Sequence, residues 1–422
     1  LPIYETACQF TGPVCLIHGT DDRVAPYSFS VAYDREYQQS ELHLIDLDDH
    51  GFSKNFQQMK EVAVHFLSKP EAAIGERSKL NIRSGKYPRI LDDNRVVFQI
   101  NAPTAGRVQA DISGKKYDMT RDDAGNWTCI SDPQSEGFHY YFLLVDGVRV
   151  ADPGAETFYG CSTMASGIDI PYPDAGADGV YPDRFALKDV AHGSVTMKRY
   201  FSTTANAWRR MYVYTPAGYE KGSQKYPILY LMHGGGEDER GWSTQGLTDI
   251  IMDNLIAEGK AQPMIVVMNN DFVYKEGDAI IRLALSEHWS ENFEEMFLNE
   301  VIPDIDASYR TIADPQHRAM AGLSLGGMLT NNVGLGNSSM FAYYGIFSGG
   351  VASSPETIDK STVKLVFETC GELEYPERIA ENAKLLNSMG IKAATYVSPN
   401  TAHEWQTWRR SLHELAPMLF KK

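Results

Sequence analysis

The chain has 422 residues, 43% of them hydrophobic and 22% charged, enough apolar material for two or three domains with buried cores. Its 55 acidic side chains against 39 Lys and Arg give a formal net charge of −16, which argues against binding duplex nucleic acid or anionic membranes, since both need a basic face. No apolar run reaches the roughly 18 residues of a membrane span, and Cys8, Cys15, Cys129, Cys161 and Cys370, scattered and odd in number, suggest neither a zinc site nor a disulfide framework.

Three blocks follow one another. In the first, about 1–70, GPVCLIHGTDDRVAP is an apolar run ending in a Gly/Asp turn, which predicts a buried strand and its loop. LHLIDLDDHGF (42–52) predicts a second strand followed by a loop with His50, and QMKEVAVHFL (58–67) has helical periodicity. Two strands with one or two helices cannot cover both faces of a parallel sheet, so this block is not a complete domain. The chain opens on Leu and shows no signal-peptide pattern, which reads as a processed or truncated sequence.

The second block, about 84–172, holds RVVFQINAP, GRVQADISG, KKYDMTRDDAGNWTCI and HYYFLLVDGVRVADP, short alternating runs broken by Gly and Asp. Regular strands of this kind predict a β-sandwich of about a hundred residues. Trp127, Tyr140, Tyr141 and Tyr159 lie within it; since alternating strands bury half their aromatics, core is the expectation for most. PYPDAGADGVYPDR (171–184) predicts a linker.

The third block, about 190–422, alternates apolar strands (MYVYTP, PILYLMHG, MIVVMNND, HRAMAGLS, YYGIFSG, VKLVFETCG, AATYVSP) with helical patterns such as LTDIIMDNLIAEG, ENFEEMFLNEVIPDIDASY and ERIAENAKLLNSMG. That is the pattern of a parallel sheet covered on both faces. Gly322-Leu323-Ser324-Leu325-Gly326 follows one such strand and precedes a helix, the setting of a serine nucleophile on a tight turn. A serine hydroxyl needs a base, an acid that orients the base, and donors for the developing oxyanion. His233-Gly234-Gly235-Gly236, after PILYLM, is an oxyanion-loop pattern, with Gly235 and Leu325 as expected N–H donors. His403 in SPNTAHEW is the best base available, and the order Ser, acid, His is that of this hydrolase class. Glu374 in TCGELEYPE is the preferred acid because it stands on the loop beyond the strand end; Glu372 remains an alternative.

Over about 195–422, the stretches VYTPAGYEKGSQKYPILYLMHGGGEDERGW, VIPDIDASYRTIADPQHRAMAGLSLGG, FETCGELE and HEWQTWRRSL resemble the feruloyl and acetyl-xylan esterases of carbohydrate esterase family 1. The resemblance implies an α/β-hydrolase fold, a serine esterase with Ser324, Glu374 and His403 as its triad, and no metal or organic cofactor. Many relatives have Asp at the acid position. It further implies a plant cell-wall polysaccharide such as feruloylated arabinoxylan as partner, no nucleic acid or membrane partner, and a secreted or periplasmic location. A hydroxycinnamoyl group would need an apolar slot, for which Trp242, Trp405 and Trp408 are candidate walls. Acetyl-xylan hydrolysis, acyl transfer on the same fold and non-catalytic carbohydrate binding are the rival expectations. The second block resembles a family-48-like carbohydrate-binding module, an immunoglobulin-like sandwich, which implies stacking on sugar rings as the alternative role of Trp127, Tyr140, Tyr141 and Tyr159. The first resembles the C-terminal end of another α/β-hydrolase, of the dienelactone or cinnamoyl-esterase kind, with Asp22 and His50 matching acid and base. It reads as a truncated, catalytically dead remnant.

Overall fold

The structure, a computed structural model, describes residues 13–37, 40–68, 75–82, 85–172, 184–282 and 285–421. The linker expected at 171–184 lies almost wholly outside them.

At the N-terminal end, β1 (Val14–Gly19) and β2 (Ser40–Ile45) form a two-stranded parallel sheet, with α1 (Ser28–Glu36) and α2 (Phe56–Ser68) against it. Leu44, Leu47, Phe29 and Phe56 are exposed there. A pair this small has too little area to shield its own apolar side chains.

Two antiparallel sheets follow. One runs β3 (Glu76–Arg77), β4 (Arg89–Ile90), β5 (Val96–Asn101), β9 (Asn126–Ile130), β8 (Thr120–Arg121). The other runs β12 (Thr157–Gly160), β13 (Thr163–Ile170), β10 (Gly137–Val145), β6 (Val108–Ile112), β7 (Lys115–Asp118), with β11 (Val148–Val150) paired to β10. Between them Phe98, Val108, Ile112, Trp127, Tyr141, Leu143 and Ile168 make one core. The first sheet starts at 76–77, upstream of the expected boundary at 84, because the short β3 offers no apolar alternation to read. Trp127 and Tyr141 are core residues of the sandwich, two of the four where core was expected for most; Tyr140 packs instead against the hydrolase-side cluster, and Tyr159 belongs to neither core.

The third unit is an eight-stranded sheet, in the order β14 (Ser194–Ser202), β15 (Ala207–Thr215), β17 (Ile265–Asn269), β16 (Ile228–Met232), β18 (Arg318–Leu323), β19 (Tyr343–Phe347), β20 (Leu365–Gly371), β21 (Ala393–Ser398). β14, β15 and β17 pair antiparallel, and β17 onward is parallel. Residues of one strand divide between two cores: Leu229 and Leu231 enter one, Ile228, Tyr230 and Met232 the other. Burial on both faces is why these strands read as unbroken apolar runs. Helices α3 (Thr248–Ala257), α4 (Trp289–Met296), α5 (Ile302–Ser308), α6 (Leu325–Leu329), α7 (Pro376–Ser388) and α8 (Trp405–Leu415) accompany the strands, and a π-helical segment at Phe297–Val301 joins α4 to α5. This is an α/β-hydrolase-type architecture.

The sandwich and the hydrolase sheet share apolar contacts. Phe138 and Phe158, on the outer face of the second sandwich sheet, belong to the same core as Leu229, Trp242, Trp405 and Trp408. Leu229 has no exposed area. Leu229→Ala is expected to lower stability by about 2–5 kcal/mol, measured as a fall in the denaturant midpoint of the intact chain.

Candidate active site

The parallel strands all point one way, so the residues that follow them gather at one edge of the sheet. Gly235 comes after β16, Ser324 after β18, Ser348 after β19, Glu374 after β20 and His403 after β21. Ser324 sits at φ 51°, ψ −111°, a strained conformation for a residue with a side chain. The chain around it tolerates only glycine: a Cβ on Gly322 would lie 2.4 Å from the Gly326 carbonyl carbon, and one on Gly326 would lie 2.6 Å from the His233 oxygen. The flanking glycines therefore allow the turn to close tightly between β18 and α6.

His403 Nε2 is 2.9 Å from Ser324 Oγ, and its Nδ1 is 2.8 Å from Glu374 Oε1. With a carboxylate facing Nδ1, that nitrogen carries the proton and Nε2 is free to accept from the serine hydroxyl. Burial alone would raise the Glu374 carboxyl. Hydrogen bonds from His403, the Gly371 N–H and the Ser348 hydroxyl outweigh it and hold the group below its ordinary value. The last two are 2.7 Å long and both reach Oε2. Glu372, the alternative acid, is exposed and accepts the Asn400 N–H at 2.8 Å, while the two imidazole nitrogens of His403 face Glu374 and Ser324.

Gly234 to Glu237 form a turn, closed by Glu237 N–H on Gly234 O at 3.2 Å, with Gly236 at φ +87°. Leu325 opens α6, where first-turn N–H groups have no intrahelical acceptor. Both expected donors thus lie at the strand edge beside the serine.

Trp405 and Trp408 line a cavity of about 570 Å³ together with Gly235, His403, Phe138 and Phe142. Trp242 does not line it. It is 1% exposed, donates its indole N–H to Met232 O at 2.8 Å and packs edge-on against Trp405 and Phe347. It is a core residue beneath the loop and not a substrate wall. A second cavity of about 720 Å³ also borders Gly236 and Glu237 and is lined by Tyr159, Trp208, Asp238, Glu239, Asn270 and Tyr274 among others.

Two contributors escaped the sequence reading. Ser348 orients Glu374, and its position after a parallel strand was the available signal. Glu237 is 6% exposed and is held by Tyr140 and Gln245; only the three-dimensional contact identifies either partner. Of the first block, Asp22 Oδ2 lies 2.8 Å from His50 Nδ1. Among the described residues, Cys15, Glu41 and His43 place ligand-type atoms within 4.8 Å of one another on the β1–β2 pair, outside this site.

The "Putative esterase" family model matches residues 202–417, and the chain belongs to that family. An endo-1,4-beta-xylanase/feruloyl esterase of Xylanibacter ruminicola is 39% identical over 355 residues, covering 81% of this chain and 47% of that protein. Endo-1,4-beta-xylanase Y of Acetivibrio thermocellus is 31% identical over 179 residues, covering 40% of this chain and 15% of that protein. The chain therefore spans less than half the length of either relative. The enterobactin esterase of Shigella flexneri superposes with a TM-score of 0.56 at 15% identity, covering 79% of this chain and 96% of that one; this likeness bears on the fold alone.

Burial pushes the Glu237 carboxyl up to about 8, against 4.5 when free. A folded-state value above the unfolded one makes its stabilising contribution complete below about pH 4.5 and lost as the pH rises through about 8. Glu237→Gln is expected to flatten the decline in Tm across that window, followed by thermal unfolding at stepped pH.

Proposed function

We propose that the protein is a serine carboxylic-ester hydrolase that releases ferulate or a related hydroxycinnamate from plant cell-wall polysaccharide. The observation that carries this reading is the continuous chain from Ser324 Oγ to His403 Nε2 and from His403 Nδ1 to Glu374, at 2.9 and 2.8 Å. The name of the Xylanibacter ruminicola relative, a xylanase/feruloyl esterase, supports the substrate class.

In this reading His403 Nε2 takes the Ser324 proton as Oγ attacks the ester carbonyl carbon. The Gly235 and Leu325 N–H groups receive the negative charge that develops on the carbonyl oxygen. His403 returns the proton to the departing sugar oxygen, leaving an acyl-serine. Water then attacks the acyl carbon, gives its proton to His403, and the acid leaves as Ser324 is reprotonated. Glu374 remains ionised throughout, keeping the imidazole oriented and stabilising its cationic form.

The aromatic-walled 570 Å³ cavity beside His403, with Trp405 and Trp408, suits a planar hydroxycinnamoyl group. The 720 Å³ cavity, where carboxylates, an amide and the guanidinium groups of Arg199, Arg209 and Arg210 stand among Trp208, Tyr159 and Tyr274, offers a sugar chain aromatic faces and polar partners of both signs. Residues 84–172 read as an immunoglobulin-like, carbohydrate-binding-type module, with the esterase unit at 190–422. Action on such a substrate fits a secreted or periplasmic enzyme. The N-terminal block reads as part of a second α/β-hydrolase, and the Asp22–His50 pair is what supports that.

Ser324→Ala is expected to lower kcat on methyl ferulate by about 10⁶-fold with the fold intact. Substantial turnover by that variant would remove Ser324 from the mechanism. Glu374→Gln is expected to cost about 10⁴-fold, while Glu372→Gln stays within about twofold of the parent; the opposite ranking would reassign the acid. Faster release of acetate from acetylated xylan than of ferulate from methyl ferulate would redirect the substrate assignment.

A further inference from the structure

The loop that carries Gly235 has three consecutive glycines and no side chains with which to hold itself. Its two ends are fixed by different units of the molecule. At the start, His233 donates from Nδ1 to Gly234 O at 2.8 Å and accepts the Asp271 N–H on Nε2 at 3.0 Å. Both partners belong to the hydrolase unit, just beyond the ends of β16 and β17. At the far end the partners come largely from the sandwich. The Ser162 N–H, in the turn between β12 and β13, donates to Gly236 O at 2.9 Å. The Tyr140 hydroxyl on β10 lies 2.9 and 2.8 Å from the two Glu237 carboxylate oxygens. Gln245 donates its side-chain N–H to Glu237 Oε2 at 2.9 Å and to Tyr159 O at 3.1 Å. The Trp405 indole N–H, two residues from His403, donates to Tyr140 Oη at 3.1 Å.

We propose that Tyr140, together with the Cys161–Ser162 turn, is a positioning element of the oxyanion loop. The sandwich holds the Gly236–Glu237 half so that the Gly235 N–H keeps its aim at an ester carbonyl on Ser324. The inference rests on the esterase reading above and adds a role for the sandwich in the chemical step itself. An oxyanion donor is effective because it is aimed before the charge appears, and a small misplacement weakens it in the transition state more than in the ground state. A sandwich that only tethers a polysaccharide would leave hydrolysis of a small soluble ester untouched. A sandwich that anchors the loop would not.

The test uses the full chain with Tyr140→Phe, Glu237→Ala and the double variant. Methyl ferulate is the substrate, and an arylboronic acid, whose tetrahedral serine adduct occupies the oxyanion position, is the second probe. Tyr140→Phe keeps the ring and removes only the hydroxyl, so folding, followed by Tm, is expected to persist. It is expected to lower kcat by roughly tenfold with KM within about twofold, less than the roughly 10²–10³-fold that follows outright loss of a donor. Boronate affinity should weaken by the same factor as kcat/KM. The double variant should be no slower than the slower single one, because the pair acts as a unit. An active parent whose Tyr140→Phe and Glu237→Ala variants keep full kcat overturns the inference and leaves the esterase reading standing. So does a fall in kcat with unchanged boronate affinity. A parent with no turnover of any ester overturns the esterase reading and this inference with it.

Discussion

Ser324 holds a backbone conformation, φ 51° and ψ −111°, that its own side chain disfavours by about 1–3 kcal/mol. The rest of the hydrolase unit keeps it there. Its N–H is tied to Phe347 O on the neighbouring strand β19 at 2.8 Å, and the Met328 N–H closes on its carbonyl at 3.0 Å, so the adjacent strand and the helix ahead both determine the turn. Gly322 and Gly326 let β18 and α6 approach to backbone contact. Because β18 lies in the interior of the sheet, the strain falls where neighbouring strands can oppose it.

From that point the site follows from topology. Ser348, Glu374 and His403 follow β19, β20 and β21 in turn, so each loop lies one strand farther from the serine. A longer acid suits this spacing. Glu374 reaches His403 with Oε1 while Oε2 collects the Gly371 N–H and the Ser348 hydroxyl. Ser348 in turn accepts the Trp408 indole N–H at 3.2 Å, and the Trp408 ring stands edge-on to the imidazole at 5.2 Å. Glu374, His403 and the wall of the cavity are thereby one hydrogen-bonded and stacked assembly.

The sequence was most legible where burial is two-sided. The parallel strands read as apolar runs because both faces are covered, and each expected strand lies within two residues of its observed range or overlaps a longer one. The edge strand β14 was passed over: SVTMKRYFS alternates, since only one of its faces is covered, and a search for unbroken apolar runs misses it. The Ser324, Glu374 and His403 positions could be read from motif and chain order, since local turn chemistry and strand succession place them. Trp242 was assigned to a substrate wall because composition does not tell which side of a turn an indole faces. The contact between Tyr140 and Glu237 was invisible for a different reason. Nearly a hundred residues separate them, and their meeting depends on how two folded units dock.

Helix α8, which follows the base, is buried at ten of its eleven positions. It packs on β20 and β21 from one side and on α3 and the sandwich strand β10 from the other. Arg409, 1% exposed, spends its guanidinium on Gln245 O at 2.7 Å and on the Asp169 carboxylate of β13 at 3.0 Å. A chain trimmed to the eight-stranded sheet would turn that interior stripe outward, leaving a cation without its counterion and two indoles facing water. The natural cut for a self-sufficient unit of this fold thus lies before the sandwich rather than after it.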